Sequence, residues 1–213
     1  MDSRKRIAIL ASGSGTTAEA LIHATRNGVL DADVVLVITN NADAGILQKI
    51  ERFNKQGFGI KTLVINASTH PGQCVPGTQT TEEATAIYEA IQDNHIDLTL
   101  LLGYMRKVVE PLLRLRMLNT HPGLLPITRA LHGDQVQKFV LENKHEFTGQ
   151  TLHEVNTEYD AGKTIAEHKI HVMPWDTDET LNAAVQLMEK AYIGVDVNGY
   201  LINLPRKSDI IDQ

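Results

Sequence analysis

Short apolar runs alternate with amphipathic segments through the first half of the chain, and this alternation limits the possible folds more than any other feature. Four of the runs predict buried strands, at residues 7–11, 34–38, 62–65 and 98–102. The segments between them have helical apolar faces, and Thr80 with Glu83 forms a capping-box pattern at the start of one. Strands that alternate with helices form parallel sheets with right-handed crossovers.

The second half of the chain has a different pattern. A short strand at 117–120 is stopped by Pro122, and two neighbouring strands at 150–155 and 164–172 are joined by a turn at 160–162. A C-terminal helix is predicted from a stripe formed by Leu181, Ala184, Val185, Met188 and Tyr192. The predicted fold class is α/β: a Rossmann-like mixed sheet with a parallel N-terminal half and helices on both faces. One domain is expected over 1–213, with halves at approximately 1–116 and 117–213.

Composition narrows the class of protein. The chain has 213 residues, of which 42% are hydrophobic and 22% charged, as in ordinary globular proteins. A net charge of -6 argues against nucleic-acid binding, which needs clustered Lys and Arg. The N-terminus has no apolar stretch long enough for a signal or a membrane span, and Cys74 has no partner cysteine for a disulfide. A cytoplasmic location without membrane contact is therefore expected.

A glycine-rich loop follows the first predicted strand and opens the first helix. Glycines let the backbone approach an anion closely, and a helix N-terminus offers free N–H groups. We expect a phosphate cradle formed by Gly13, Gly15, Thr16 and Thr17.

The loop spacing also matches a loose dinucleotide pattern, but that pattern expects an acidic residue at the end of the second strand. The second strand ends in Ile38-Thr39-Asn40-Asn41, so a nicotinamide enzyme is the weaker alternative. A P-loop needs a lysine that the glycine loop lacks. A simple phosphate monoester fits the loop best.

Asn119 and His121 are two residues apart on a predicted strand, so their side chains point to the same side. Acyl transfer to an amine passes through a tetrahedral oxyanion, which a positioned donor stabilises and an imidazole can help to form. Such an imidazole needs a carboxylate to orient it. The candidates are Glu110, Asp134, Glu154, Glu158 and Asp160.

Several motifs resemble the formyltransferase family that uses 10-formyltetrahydrofolate, and the resemblance covers nearly the whole chain. The most specific is Asn-Thr-His-Pro-Gly-Leu-Leu-Pro at 119–126. Weaker matches lie at residues 12–15, 40–44, 102–106, 149–153 and 160–162. The resemblance implies the formyltransferase fold, with a phosphate-binding first half and a catalytic, folate-binding second half. It also implies formyl transfer to the amine of glycinamide ribonucleotide in purine synthesis.

By position, the resemblance implies a catalytic trio of Asn119, His121 and Asp160. It assigns the substrate phosphate to the glycine loop and the glycinamide end of the substrate to Glu189. The residues it implies for the folate pocket are Leu101, Gly103, Met105, Arg106, Asn156 and Asp160. 10-Formyltetrahydrofolate is the expected co-substrate and no metal is expected, because no Cys/His cluster has zinc spacing. The expected partners are small molecules, and the chain is expected to be a monomer or a homodimer.

The chain departs from the family pattern at several positions. Thr17 stands where the family usually has Asn, and Thr80 where the closest relatives carry Arg. Residues 127–130 and 163–164 also differ from the usual sequence. These departures leave two alternatives open: a formyltransferase for another amine, such as an amino sugar nucleotide, and a folate- or nucleotide-binding module without turnover.

Overall fold

The computed structural model describes residues 4–73 and 75–204, so Cys74 lies outside the described residues. Its strands are β1 (Lys5–Ala11), β2 (Ala32–Thr39), β3 (Lys61–Val64), β4 (Leu98–Leu101), β5 (Met117–His121), β6 (Phe147–Glu154) and β7 (Thr164–His171). Its α-helices are α1 (Thr16–Arg26), α2 (Gly45–Asn54), α3 (Thr81–Asp93), α4 (Asp134–Glu142) and α5 (Asp178–Ile202).

All seven strands belong to one sheet, in the order β3-β2-β1-β4-β5-β6-β7. The pairs from β3 to β5 are parallel, and β6 and β7 are added antiparallel. The predicted mixed α/β sheet is therefore confirmed. The parallel part of the sheet includes β5, which belongs to the predicted second half of the chain. The two predicted halves, which meet at residue 116, therefore share one sheet. The division into a phosphate-binding half and a catalytic half stays a prediction.

Apolar side chains cover both faces of the sheet, as a Rossmann-like fold requires. On one face, alternate residues of β1 pack against α1, α2 and α5, with Ile7 and Ile9 fully buried. On the other face, Ala8 and Leu10 pack against α3. The capping box predicted for α3 is present, since Thr80 accepts from the Glu83 amide and Glu83 accepts from the Thr80 amide.

The apolar stripe of α5 differs from the prediction. Leu181 and Val185 are buried, but Tyr192 is 43% exposed and its ring stacks on His168 with the ring centroids 3.9 Å apart. The buried line continues instead through Ile193, Val197 and Leu201. The face shifts because α5 packs against α4 and then against α1, where Gly194 lies so close to α1 that a Cβ would meet Ala24 Cβ at 2.5 Å.

Candidate active site

Two adjoining cavities lie at the carboxyl ends of the central parallel strands, where ligands bind in open α/β sheets. The larger is a cleft between the glycine loop, β5 and α5. The smaller is a pocket beside the segment that follows β4. Tyr104, Asn119, Tyr159 and Asp160 line both cavities, so the two open onto the same group of side chains.

Asn119 is held by a neighbouring imidazole. The register of β5 against β6 places Asn119 opposite His153, and Asn119 Nδ2 lies 3.1 Å from His153 Nε2. His153 Nδ1 lies 2.9 Å from the Glu154 carbonyl, which can only accept, so Nδ1 carries the ring proton and Nε2 accepts from the Asn119 amide. One amide hydrogen of Asn119 is thereby used, and the other remains for a ligand in the cleft.

Asp160 brings a buried carboxylate between two imidazoles. Its Oδ2 lies 3.5 Å from Nδ1 of His121, and its Oδ1 lies 3.6 Å from Nε2 of His153. The residue is 8% exposed and has a left-handed φ of 49°, which aims the side chain inward from the turn. The turn packs closely against β6 at Gly162, where a Cβ would meet the Glu154 carbonyl oxygen at 1.6 Å. Only glycine fits at this position.

His121 is 3% exposed, and burial lowers its pKa from the usual value. The Asp160 carboxylate acts in the opposite direction, and the neighbouring His153 ring acts to lower the pKa further. The net lowering keeps the ring neutral at neutral pH. The Asp160 carboxylate is then placed to stabilise a proton that reaches the ring during a reaction.

The glycine loop has a fixed shape at the start of α1. Gly15 caps α1 with a left-handed φ of 68°, and a Cβ there would meet Ile46 Cδ1 at 2.3 Å. The Ile46 amide donates to the Gly13 carbonyl at 3.2 Å. The first amides of α1 have no partner within the helix. Gly13, Gly15, Thr16 and Thr17 line the cleft at this end of α1.

Glu189 lines the same cleft from α5. Burial raises the pKa of its carboxyl, while the hydroxyls of Thr120 and Thr17 act to lower it. The Thr17 hydroxyl therefore lies beside Glu189, whereas the sequence analysis assigned it to a phosphate. Both roles predicted for these residues, phosphate binding and substrate binding, stay predictions.

The residues predicted for folate are divided between the two cavities. Leu101, Arg106, Asn156 and Asp160 line the smaller pocket, whereas Gly103 and Met105 line the cleft. The Met105 amide donates to the Ser12 hydroxyl at 2.9 Å and so ties this segment to the glycine loop.

Arg106 is already paired with protein groups. Its guanidinium donates to the Thr78 carbonyl and lies 3.0 Å from the buried Glu83 carboxylate. Thr80 is fully buried as the cap of α3 and is not available to a ligand.

Three residues that contribute to the site are not among the predicted site residues: His153, Thr128 and Tyr159. The alternation of β6 places His153 on the inner face, but its position opposite Asn119 depends on the strand register, which no local pattern reveals.

Within residues 4–73 and 75–204, no group of three or more His, Cys, Asp or Glu side chains is placed to hold a metal ion. No helix in the same ranges is long and apolar enough to cross a membrane.

The family model described as formyl transferase matches residues 5–195, and the chain belongs to this family.

Individual relatives carry more specific names. The chain is 31% identical to the phosphoribosylglycinamide formyltransferase of Haemophilus influenzae over 190 residues, which cover 87% of this chain and 82% of that protein. It is 34% identical to the trifunctional purine biosynthetic protein adenosine-3 of Gallus gallus over 88% of this chain, but spans only 17% of that protein. The crystal structure of glycinamide ribonucleotide transformylase 1 from Symbiobacterium toebii superimposes with a TM-score of 0.84 at 29% identity, covering 97% of this chain and 93% of that one.

Proposed function

We propose that this protein transfers a formyl group from 10-formyltetrahydrofolate to the amine of glycinamide ribonucleotide, a step of purine synthesis. The observation that carries the proposal is the meeting of Asn119, His121 and Asp160 where the two cavities join. The names of the relatives support the choice of donor and acceptor. The cleft that ends at the glycine loop suits the phosphorylated acceptor, and the smaller pocket suits the ring system of the folate.

The reaction forms one C–N bond and breaks another. The acceptor amine attacks the formyl carbon, and the carbonyl oxygen becomes an oxyanion that the free amide hydrogen of Asn119 stabilises. Collapse of the intermediate breaks the bond to N10 of the folate. The proton lost by the amine is returned to N10, and His121 with Asp160 is the pair placed to carry it.

The cavity shape agrees with two ligands that meet end to end. The cleft and the pocket share a wall at Asn119 and Asp160, and Asp160 Oδ2 has no hydrogen-bond partner among the described residues. A buried carboxylate oxygen without a partner is costly, so a donor from a bound ligand or water fits this position.

A second acceptor remains an alternative because residues 127–130 differ from the family and lie next to the site. Thr128, which belongs to this altered segment, lies 3.0 Å from His121. The departure from the family sequence therefore reaches the proposed catalytic residues, and this is the observation that favours considering another amine. The phosphate cradle and the formyl chemistry are the same in both proposals.

A direct assay tests both proposals. The purified chain is incubated with 10-formyltetrahydrofolate and either glycinamide ribonucleotide or an amino sugar nucleotide, and the formylated products are quantified. We expect turnover with glycinamide ribonucleotide and none with the sugar. Turnover with the sugar alone would replace the acceptor, whereas tight binding of folate by calorimetry without any transfer would support a binding module instead.

A further inference from the structure

Strand β7 is the last strand of the sheet, and its outer edge pairs with no strand among residues 4–73 and 75–204. An open strand edge offers backbone N–H and C=O groups to any strand that can match them. β7 has 8 residues, which is longer than the usual strand of about five or six. Its edge is therefore long enough to pair with another strand.

The pairing of β7 with β6 determines which residues offer their backbone at the open edge. The Val172 amide donates to the Glu146 carbonyl at 2.9 Å, and the register of the two strands is regular over residues 166–171. Hydrogen-bonded pairs recur at every second residue of an antiparallel ladder, so the even-numbered residues of β7 bond to β6. Glu167 and Lys169 therefore direct their N–H and C=O groups to the open edge.

Glu167 and Lys169 carry opposite charges on one face of β7, with Lys169 Nζ 3.1 Å from Glu167 Oε1. Two copies of β7 can pair antiparallel about a twofold axis, and the position of the axis decides which charges meet. An axis at Glu167 or at Lys169 places that residue opposite its own copy, and like charges directly opposite are destabilising. With the axis at His168, Glu167 of each copy lies opposite Lys169 of the other.

Helix α5 leaves an apolar stripe uncovered beside β7. The Tyr192 ring stacks on His168 with the ring centroids 3.9 Å apart, so this side of α5 borders the strand. Val195 is 55% exposed and Ile202 is 73% exposed. Small and apolar residues recur along this side at spacings of three or four: Ala184, Met188, Ala191, Val195, Gly199 and Ile202. A continuous apolar stripe in contact with water is typical of a protein interface.

The strand edge and the stripe of α5 suit the same occupant. The His168 side chain points to α5, where its Nε2 lies 2.9 Å from Asp196 Oδ2. Residues directly opposite in an antiparallel pair point to the same face of the sheet. Pairing about His168 would therefore place both α5 helices on one face of the joined sheet, one on each side of the seam, where their stripes border it.

We propose that β7 and the apolar stripe of α5 bind a second copy of this chain, with the two β7 strands paired antiparallel about His168. A second copy is favoured over an unrelated protein because the charges of the edge are complementary to themselves. Each pair of Glu167 with Lys169 of the other copy would also exchange backbone hydrogen bonds. Assembly can be measured without any substrate, so it is independent of the proposed formyl transfer.

Sedimentation equilibrium of the full chain measures this assembly. We expect the mass to rise with protein concentration from 23.5 kDa, the mass of one chain, to twice that value. The mass of one chain at every concentration would overturn the proposed dimer. Residues 205–213, which follow α5 along the chain, would then be the next candidate to cover the stripe.

Two charge reversals test the register. Glu167→Lys and Lys169→Glu each place like charges across the seam, and we expect each to raise the Kd of the dimer about tenfold. An equimolar mixture of the two variants should associate as tightly as the wild type, because two positive residues of one chain then face two negative residues of the other. Both reversals in one chain should also restore the wild-type Kd. Glu89→Lys, on the exposed side of α3, is the matched control and should leave the Kd unchanged.

Recovery in the mixture cannot come from poor folding of the single variants, which circular dichroism checks separately. An unchanged Kd in both single variants would contradict pairing through β7. Weak association in the mixture of two folded variants would contradict the axis at His168. Val195→Asp should also raise the Kd about tenfold, and a wild-type Kd in this variant would remove α5 from the interface.

Discussion

Oδ2 of Asp160 lies 3.5 Å from Nδ1 of His121, although the two residues come from a turn and from a strand that are well separated along the chain. The other oxygen of the same carboxylate lies 3.6 Å from His153, which holds the amide of Asn119. One carboxylate thus lies beside both the imidazole proposed to move a proton and the imidazole that orients Asn119, the proposed oxyanion donor. Asp160 is therefore the position where a small change should have the largest effect on activity.

Replacing Asp160 by Asn should remove the charge and keep the shape. We expect kcat for formyl transfer to fall by about 10²–10⁴-fold, the usual contribution of a positioned acid–base group, while KM for the acceptor changes little. Initial rates with purified protein give both constants. Asp93→Asn, at the exposed end of α3, is the matched control and should behave as wild type. An active Asp160→Asn would remove Asp160 from the mechanism.

Replacing Asn119 by Ala should remove the donor to the oxyanion. Loss of such a donor typically lowers kcat by about 10²–10³-fold. The Ala variant also leaves His153 Nε2 without its amide partner, so circular dichroism and thermal unfolding should be recorded beside the rates. A rate within a few-fold of wild type in a folded Asn119→Ala protein would place the oxyanion elsewhere.

The lowered pKa of His121 predicts how stability depends on pH. The pKa of His121 is about 6.5 in the unfolded chain and lower in the folded protein. At pH values between the two, the unfolded chain binds a proton that the buried ring does not. The free energy of unfolding should therefore fall as pH drops through this window, by at most about 1.4 kcal/mol per pH unit from this group. Urea unfolding at several pH values should show a smaller fall in His121→Gln. An identical pH dependence in both proteins would mean that the pKa of His121 is not lowered.

Replacing Gly15 by Ala should disrupt the glycine loop. The left-handed φ costs about 1–2 kcal/mol for a residue with a Cβ, and the contact of 2.3 Å with Ile46 adds to it. We expect a lower melting temperature and a higher KM for the phosphorylated acceptor. Gly13→Ala is the control for stability alone, because its Cβ would meet nothing within 4 Å. Equal stability of the two variants would argue against the strain at Gly15.

Replacing Arg106 by Met should leave the Glu83 carboxylate buried without its ion-pair partner. Removing one member of a buried pair costs about 3–5 kcal/mol. The Arg106 side chain is 16% exposed, and this partial access to water places the expected loss at the lower end. Chemical denaturation measures the loss. The double variant Arg106→Met with Glu83→Gln should recover part of the stability, and additive losses would show that the two side chains do not interact.

The local elements of the fold were predictable because each has a signal in a short stretch of sequence. The apolar run at 7–11 marks β1, and the capping box at Thr80 and Glu83 marks the start of α3. The position of the glycine loop was predictable for the same reason, since it follows a strand and opens a helix. The shift of the buried face of α5 was not, because it depends on which helices α5 packs against.

The site was predictable only in part. Strand alternation pairs Asn119 with His121, but Asp160 was joined to them through the family resemblance, and its distance from His121 depends on the turn that packs against β6 at Gly162. His153 and Thr128 contact this trio through strand register and loop packing. Such contacts between distant segments leave no periodic signal along the sequence.

The close packing of Gly15 against Ile46 has a consequence for how the acceptor binds. The glycine loop is tied to the start of α2 by this contact and by the hydrogen bond from the Ile46 amide to the Gly13 carbonyl. Fixing a backbone residue costs about 1–2 kcal/mol of conformational entropy, and here that cost is met when the chain folds. The phosphate would then enter a cradle that already has its final shape, so that more of the interaction energy appears as affinity.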